Sequence, residues 1–156
     1  MNINKKGIHI NPFLFIIVVI GLALRLMIAI NVTPSLNWDE VSHGYNAYSI
    51  LKTGRDEWGI TLPTIFRAYG DYKLPGYIYL TTIFVGLFGL NEFSVRLPSI
   101  IAGTLSILFV YLLAKRITKE EKVAIISALL FAIEPWSLFL SSFAAEANLA
   151  LFLIIS

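Results

Sequence analysis

Residues Pro12–Ile30, "PFLFIIVVIGLALRLMIAI", carry a single charge, Arg25, in 19 positions. A run of that length and apolarity is long enough to cross a bilayer core and has no place on the surface of a soluble fold. Three more apolar stretches follow, Leu74–Leu90, Leu97–Ala114 and Val123–Leu140, and a fifth begins at Asn148. With 57% hydrophobic and only 14% charged residues, the chain has too little polar surface for a soluble domain of its length. The expected fold class is an all-α polytopic membrane protein. It should hold three to four transmembrane helices plus the start of another, in a single membrane domain over residues 1–156. A net charge of +2 without a basic stripe excludes nucleic acid as a partner. The absence of cysteine excludes disulfides, thiolate metal sites and a cysteine nucleophile.

Lys5 and Lys6 ahead of the first apolar run mimic a secretory signal, but the run reaches Ile30 without a small-residue cleavage site, so an uncleaved span is expected. "NLALFLIIS" at the other end stops inside what reads as a new span, and the chain is expected to be the N-terminal part of something longer. Lys5 and Lys6 place the N-terminus in the cytoplasm and the polar insert Asn31–Lys73, 43 residues, outside. Lys115, Arg116, Lys119 and Lys122 place the loop after Ala114 inside as well. These two anchors conflict if every intervening segment crosses. Leu74–Leu90 is the weakest crossing: its 17 residues cover about 26 Å of a core about 30 Å thick, and it opens with Pro75-Gly76. It is read as an outer-leaflet or re-entrant helix, the alternative being a short ordinary span beside a charge-balanced loop.

Within the insert, Asn37-Trp38-Asp39-Glu40 opens a helix in which Val41, Tyr45, Tyr48 and Leu51 recur at helical spacing, and Thr53-Gly54 stops it. With Trp38 ahead, this reads as an amphipathic helix in the membrane interface. Asp39 and Glu40 suit its first turn, where acidic side chains meet free N–H groups and the positive dipole end. The same carboxylates suit a general base that activates a hydroxyl at the membrane surface. His43, four residues after Asp39, lies on the same face and is a candidate to bond it or share a metal with it. "TGRDEWG" and "YGDYKLPGY" add Arg55, Arg67, Asp71 and Lys73 among aromatics, the mixture that an anionic headgroup or sugar calls for. Arg25 inside the first span is costly and faces either a partner, a cavity or the outer headgroups. Glu134-Pro135-Trp136 marks a span end or a break.

Taken in order, the pieces resemble a known family. They are the span holding Arg25, "WDE" at 38–40, "GYNAYSILKTGRDEWG" at 44–59 and "GDYKLPGYIYL" at 70–80. "FGLNEFSVRLPSIIAGTLSILFVYLLAKRI" at 88–117 and "PWSLFLSSFAAEANLALF" at 135–152 complete the set. The chain resembles the N-terminal part of the polyprenyl-phosphate-sugar-dependent glycosyltransferases of the C-type fold, which include protein O-mannosyltransferases and the aminoarabinose transferases acting on lipid A. The resemblance implies inverting transfer of a sugar from a polyprenyl phosphate to a protein or glycolipid hydroxyl on the non-cytoplasmic face of the plasma membrane. It implies a catalytic role for Asp39, with Glu40 as neighbour and Glu146 as the second acid. Lys73 is implied as a phosphate contact, and Arg96 as a phosphate contact or a holder of the loop.

Arg25, His43 and Arg55 complete the expected substrate-binding set, with residues 31–73 as the external catalytic loop. No cofactor is required by this reading, although a divalent metal is possible. Some relatives carry a metal-ligating glutamate where this chain has Tyr72, with Asp71 one step earlier, and Ser141-Ser142 stands where many have a basic residue. The rival class is a non-catalytic membrane protein, either half of a transporter or a lipid-sugar-binding subunit. An inactive fragment is the third expectation.

Overall fold

The computed structural model describes residues 11–156; the Lys5 and Lys6 anchor lies outside the described residues. Two helices are long and apolar enough to cross a membrane, α1 (Pro12–Asn31) and α4 (Glu92–Thr118). In α1 the buried positions Leu14, Ile17, Gly21, Arg25 and Ala29 repeat every three or four residues, which places one stripe against the rest of the protein. The other faces of α1 expose Phe13, Phe15, Ile16, Val19, Ile20 and Met27. Such an outer surface is compatible with lipid and not with water.

α1 and α4 run antiparallel, as contacts at their ends establish. At one end the Asn11 cap of α1 donates to Glu121, which also accepts from Tyr111 of α4 and pairs with Lys115. At the other end Arg96, in the first turns of α4, donates to the carbonyls of Ala29 and Pro34. α4 starts five residues before its apolar run does, because Asn91 and Ser94 close a capping box there. Pro98, which lacks an N–H, is accommodated within its second turn.

The fourth apolar stretch is two helices, α5 (Glu121–Ile133) and α6 (Pro135–Ser142), bent by 52°. Pro135 cannot continue α5, and Glu134 instead caps α6 by accepting from the N–H groups of Trp136 and Ser137. Ala124, Ala128 and Ala132 form a small-residue stripe that brings α5 close against Ile107 and Tyr111 of α4 and Leu14 and Ile17 of α1. α7 (Glu146–Ile155) begins the last apolar stretch.

The polar insert contains α2 (Trp38–Thr53) and an antiparallel hairpin, β1 (Phe66–Ala68) and β2 (Asp71–Lys73), rather than interfacial helices alone. The hairpin turns through Tyr69 and Gly70, both at positive φ, as a two-residue turn of the primed kind requires. α2 is bounded by an Asn37–Glu40 capping box and by Gly54 in the left-handed conformation. Its buried face is polar or small apart from Ile50, with Glu40, Ser42, His43, Gly44, Asn46 and Ala47, while Trp38, Val41, Tyr45, Tyr48 and Leu51 face outward.

α3 (Pro75–Phe88) packs on α2 through Ala47, Ile50, Ile78 and Val85. Both of its flanks lie at the Arg96 end of the α1–α4 pair. Lys73, just before it, pairs with Asp39, and Gly89, just after it, accepts from Ser94 in the first turn of α4.

Candidate active site

Four segments meet at the Arg96 end: the start of α2, strand β2, the start of α4 and the turn between α6 and α7. Glu40 is the knot. Its carboxylate, 1% exposed, accepts from Arg96 Nε at 2.8 Å and Nη2 at 3.2 Å, from Asn37 N at 3.0 Å and from Ala144 N at 3.0 Å. Arg96 completes its set on the Ala29 and Pro34 carbonyls, at 3.1 and 2.6 Å. Two opposite charges are buried together, with both Glu40 oxygens and four of the five Arg96 N–H groups hydrogen-bonded, the conditions under which a buried pair holds. This one ties α2 to α4, to the end of α1 and to the α6–α7 turn. Arg96 is therefore enclosed within the scaffold and holds the loop.

One residue earlier the α2 backbone turns Asp39 outward. Its side chain is 60% exposed and lies 2.8 Å from Lys73 Nζ. Lys73, largely covered, also lies 3.2 Å from Asp71. The hydrogen bond with Asp39 is the main reason that Lys73 holds its proton above the usual lysine range. Asp71 is held below the usual carboxylate range, first by the Tyr72 backbone N–H and then by Lys73. The result is an accessible carboxylate beside a firmly protonated cation: a proton acceptor and an anion contact in one place.

His43 does not bond Asp39, contrary to the i, i+4 expectation. Asp39 leans to Lys73, while His43 points inward, where its Nε2 lies 2.9 Å from Glu146 Oε1. Glu146, the first residue of α7, is partly exposed. The second acid is thus brought to the same end as Asp39 across 107 positions of sequence.

Arg25 belongs to a separate cluster. It is fully buried and donates to Ser141 Oγ (3.1 Å), Ser137 Oγ (2.8 Å) and the carbonyls of Gly21 (3.0 Å) and Ala132 (3.3 Å). Its acceptors are all neutral, and among the described residues it meets none of the site carboxylates. Ser137 and Ser141 hold the guanidinium against the α5–α6 break. Arg55 is exposed, and its backbone bridges Thr61. Among the described residues no three His, Asp or Glu side chains gather as a metal cage.

Reasoning from sequence missed Tyr77, whose ring lies 5.0 Å from that of His43 and whose hydroxyl donates to the Val95 carbonyl. It also missed Asn46, which fixes the 55–62 loop by donating to Glu57 Oε1 and accepting from Glu57 N. Asn46 on the polar face of an otherwise aromatic helix was the available signal. Tyr77 gave none, since aromatic residues near Pro75 read equally well as interfacial.

The model of the dolichyl-phosphate-mannose-protein mannosyltransferase family matches residues 73–156. The undecaprenyl phosphate-alpha-4-amino-4-deoxy-L-arabinose arabinosyl transferase of Erwinia tasmaniensis is 32% identical over 109 residues, 70% of this chain and 19% of the relative. The enzyme of the same name from Pseudomonas aeruginosa is 36% identical over 64 residues, 41% of this chain and 12% of its own. The chain therefore spans less than a fifth of the length of these curated relatives. No solved structure matches it.

Proposed function

Since this chain belongs to the dolichyl-phosphate-mannose-protein mannosyltransferase family, we propose that it carries the catalytic carboxylate of a membrane glycosyltransferase that draws its sugar from a polyprenyl phosphate. The observation that carries this reading is the exposed Asp39 carboxylate, 2.8 Å from Lys73 and one residue before the buried Glu40–Arg96 junction.

In the proposed step, the acceptor hydroxyl oxygen attacks the anomeric carbon from the face opposite the phosphate. The new C–O bond forms as the bond to the phosphate oxygen breaks, so the configuration inverts. Asp39 takes the hydroxyl proton, and the polyprenyl phosphate leaves with the electron pair. Lys73, charged throughout, faces the charge that develops on the phosphate. Glu40 and Arg96 act by holding the backbone of α2 so that Asp39 points outward. Glu146 lies at the same end and is assigned to orientation of the sugar or the acceptor. The site would occupy the non-cytoplasmic face of the plasma membrane, with α1, α4 and the bent α5–α6 pair spanning and α3 lying at that face.

The bent pair has a structural account: Arg25 ties it to α1 by donating to Ser137, Ser141 and the Ala132 carbonyl. Asp39→Asn, expressed in cells lacking the native protein, is expected to lower sugar transfer by at least about 100-fold while membrane insertion is unchanged. Transfer at the wild-type rate would remove Asp39 from the role of base.

A further inference from the structure

The site contains an imidazole that the step above does not use. His43 is only 2% exposed, and its Nδ1 is one of two buried side-chain atoms without a hydrogen-bond partner among the described residues. Its other ring nitrogen, Nε2, lies 2.9 Å from Glu146 Oε1. The Glu146 carboxylate, in the first turn of α7, offers acceptors only. The proton of a neutral His43 therefore sits on Nε2, directed at Glu146. That leaves Nδ1 as a bare acceptor, in keeping with the lack of any partner for a proton there.

The titratable groups around the ring are few. Tyr77 of α3 packs against it, and Glu40, one turn earlier on α2, is already neutralised by Arg96. Glu40 and His43 together fasten the α6–α7 turn to α2, the first through Ala144 N and the second through the Glu146 carboxylate.

We infer that His43 is a positioning residue: its Nε2–H holds the Glu146 carboxylate in a fixed orientation at the Asp39 end of the bundle, and it acts on catalysis only through Glu146. The inference rests on the proposed glycosyltransferase reading and deepens it. A side chain whose reactive nitrogen is sealed from solvent is placed to orient a neighbour, not to touch a substrate. Glu146, partly exposed, is the group that faces outward.

The test is a mutant cycle on the intact protein in its own membranes, with the radiolabelled polyprenyl-phosphate sugar pool of those membranes as the donor. His43→Leu is expected to lower kcat by about 10- to 100-fold, the loss typical of a misplaced group, with KM changed by less than about threefold. His43→Gln, whose amide nitrogen reaches the position of Nε2, is expected to recover most of that loss and to keep the wild-type pH–rate profile. His43→Asn, whose amide ends where Nδ1 stood, is not. In a Glu146→Gln background His43→Leu should have no further effect. Thermal melting of each variant separates loss of fold from loss of rate.

Multiplicative losses in the Glu146→Gln background, or a pH limb that disappears in His43→Gln, would overturn the inference while leaving the functional reading in place. Full transfer by Asp39→Asn, or no transfer of the labelled sugar by the wild-type protein, would overturn the functional reading itself.

Discussion

Glu40→Ala is the most informative perturbation of the scaffold. It removes four hydrogen bonds from one buried carboxylate and leaves the Arg96 guanidinium, itself 1% exposed, with only the exposed Glu92 carboxylate at 4.0 Å as counter-charge. Breaking a buried ion pair from one side costs about 3–5 kcal/mol, because the remaining charge keeps its full desolvation penalty. The Asn37 side-chain cap on the Glu40 backbone N–H is kept, since alanine retains that donor. For a chain of this size the cost corresponds to a fall in melting temperature of roughly 6–20 °C, read as thermal unfolding in mild detergent. Arg96→Met should cost a similar amount, as it leaves Glu40 buried and charged. Changing both, Glu40→Met with Arg96→Met, should recover several degrees over either single variant, because the uncompensated charge is gone. Single-variant shifts of only one or two degrees, or shifts that simply add in the double variant, would refute the claim that this pair is the junction of the site.

Two further expectations follow from packing and charge. A Cβ at Gly103 would overlap the Ser141 hydroxyl and approach Arg25 Nε, so Gly103→Ala should destabilise the protein by about 1–3 kcal/mol in the same melting assay. Gly103→Ala/Ser141→Gly should recover only part of that cost, because it relieves the overlap but leaves Arg25 Nε without its acceptor. The Asp39–Lys73–Asp71 contact should have a defined pH window. Asp71 lies below its ordinary value, so its contribution is present above the usual carboxylate pKa of about 4 and is lost as pH falls through the lowered value. Lys73 lies above its own, so its contribution is present below about 10.4 and is lost as pH rises through the raised value. Trp38, whose ring meets Tyr69 of the hairpin at 5.5 Å, reports the docking by fluorescence. Lys73→Gln should abolish the alkaline transition.

The local part of this architecture was legible in the sequence. The first span, the Asn37 start and Gly54 stop of α2, and the break at Glu134-Pro135 each rest on interactions within a few residues, and composition reports these faithfully. α4 was read short because apolarity marks where a helix is greasy, not where it is capped. The hairpin escaped because its strands are three residues long, too short to show alternation. The site residues were found as types and mispaired as contacts. Spacing joined Asp39 to His43, whereas the fold joins Asp39 to Lys73, Glu40 to Arg96 across 56 positions, and His43 to Glu146 across 103. Periodicity cannot report which segments a bundle brings together, and Arg25 illustrates the same limit. Its cost inside a span was evident, but its serine partners on α6 lie 112 and 116 positions away.

The central claim is that Asp39, the start of α4 and Glu146 share one face of the membrane while the turn after α4 lies on the other. The lack of native cysteine makes a labelling experiment clean. Single cysteines are placed at the exposed positions Ile60, Glu92 and Ala147 at the site end, and at Lys119 at the opposite end. Intact cells are then treated with a membrane-impermeant maleimide. The account predicts labelling at Ile60, Glu92 and Ala147, and labelling at Lys119 only after the membrane is permeabilised. Labelling at Ile60 with protection at Glu92 and Ala147 would mean that α3 crosses the bilayer, and the site assembled here would be divided between its two sides.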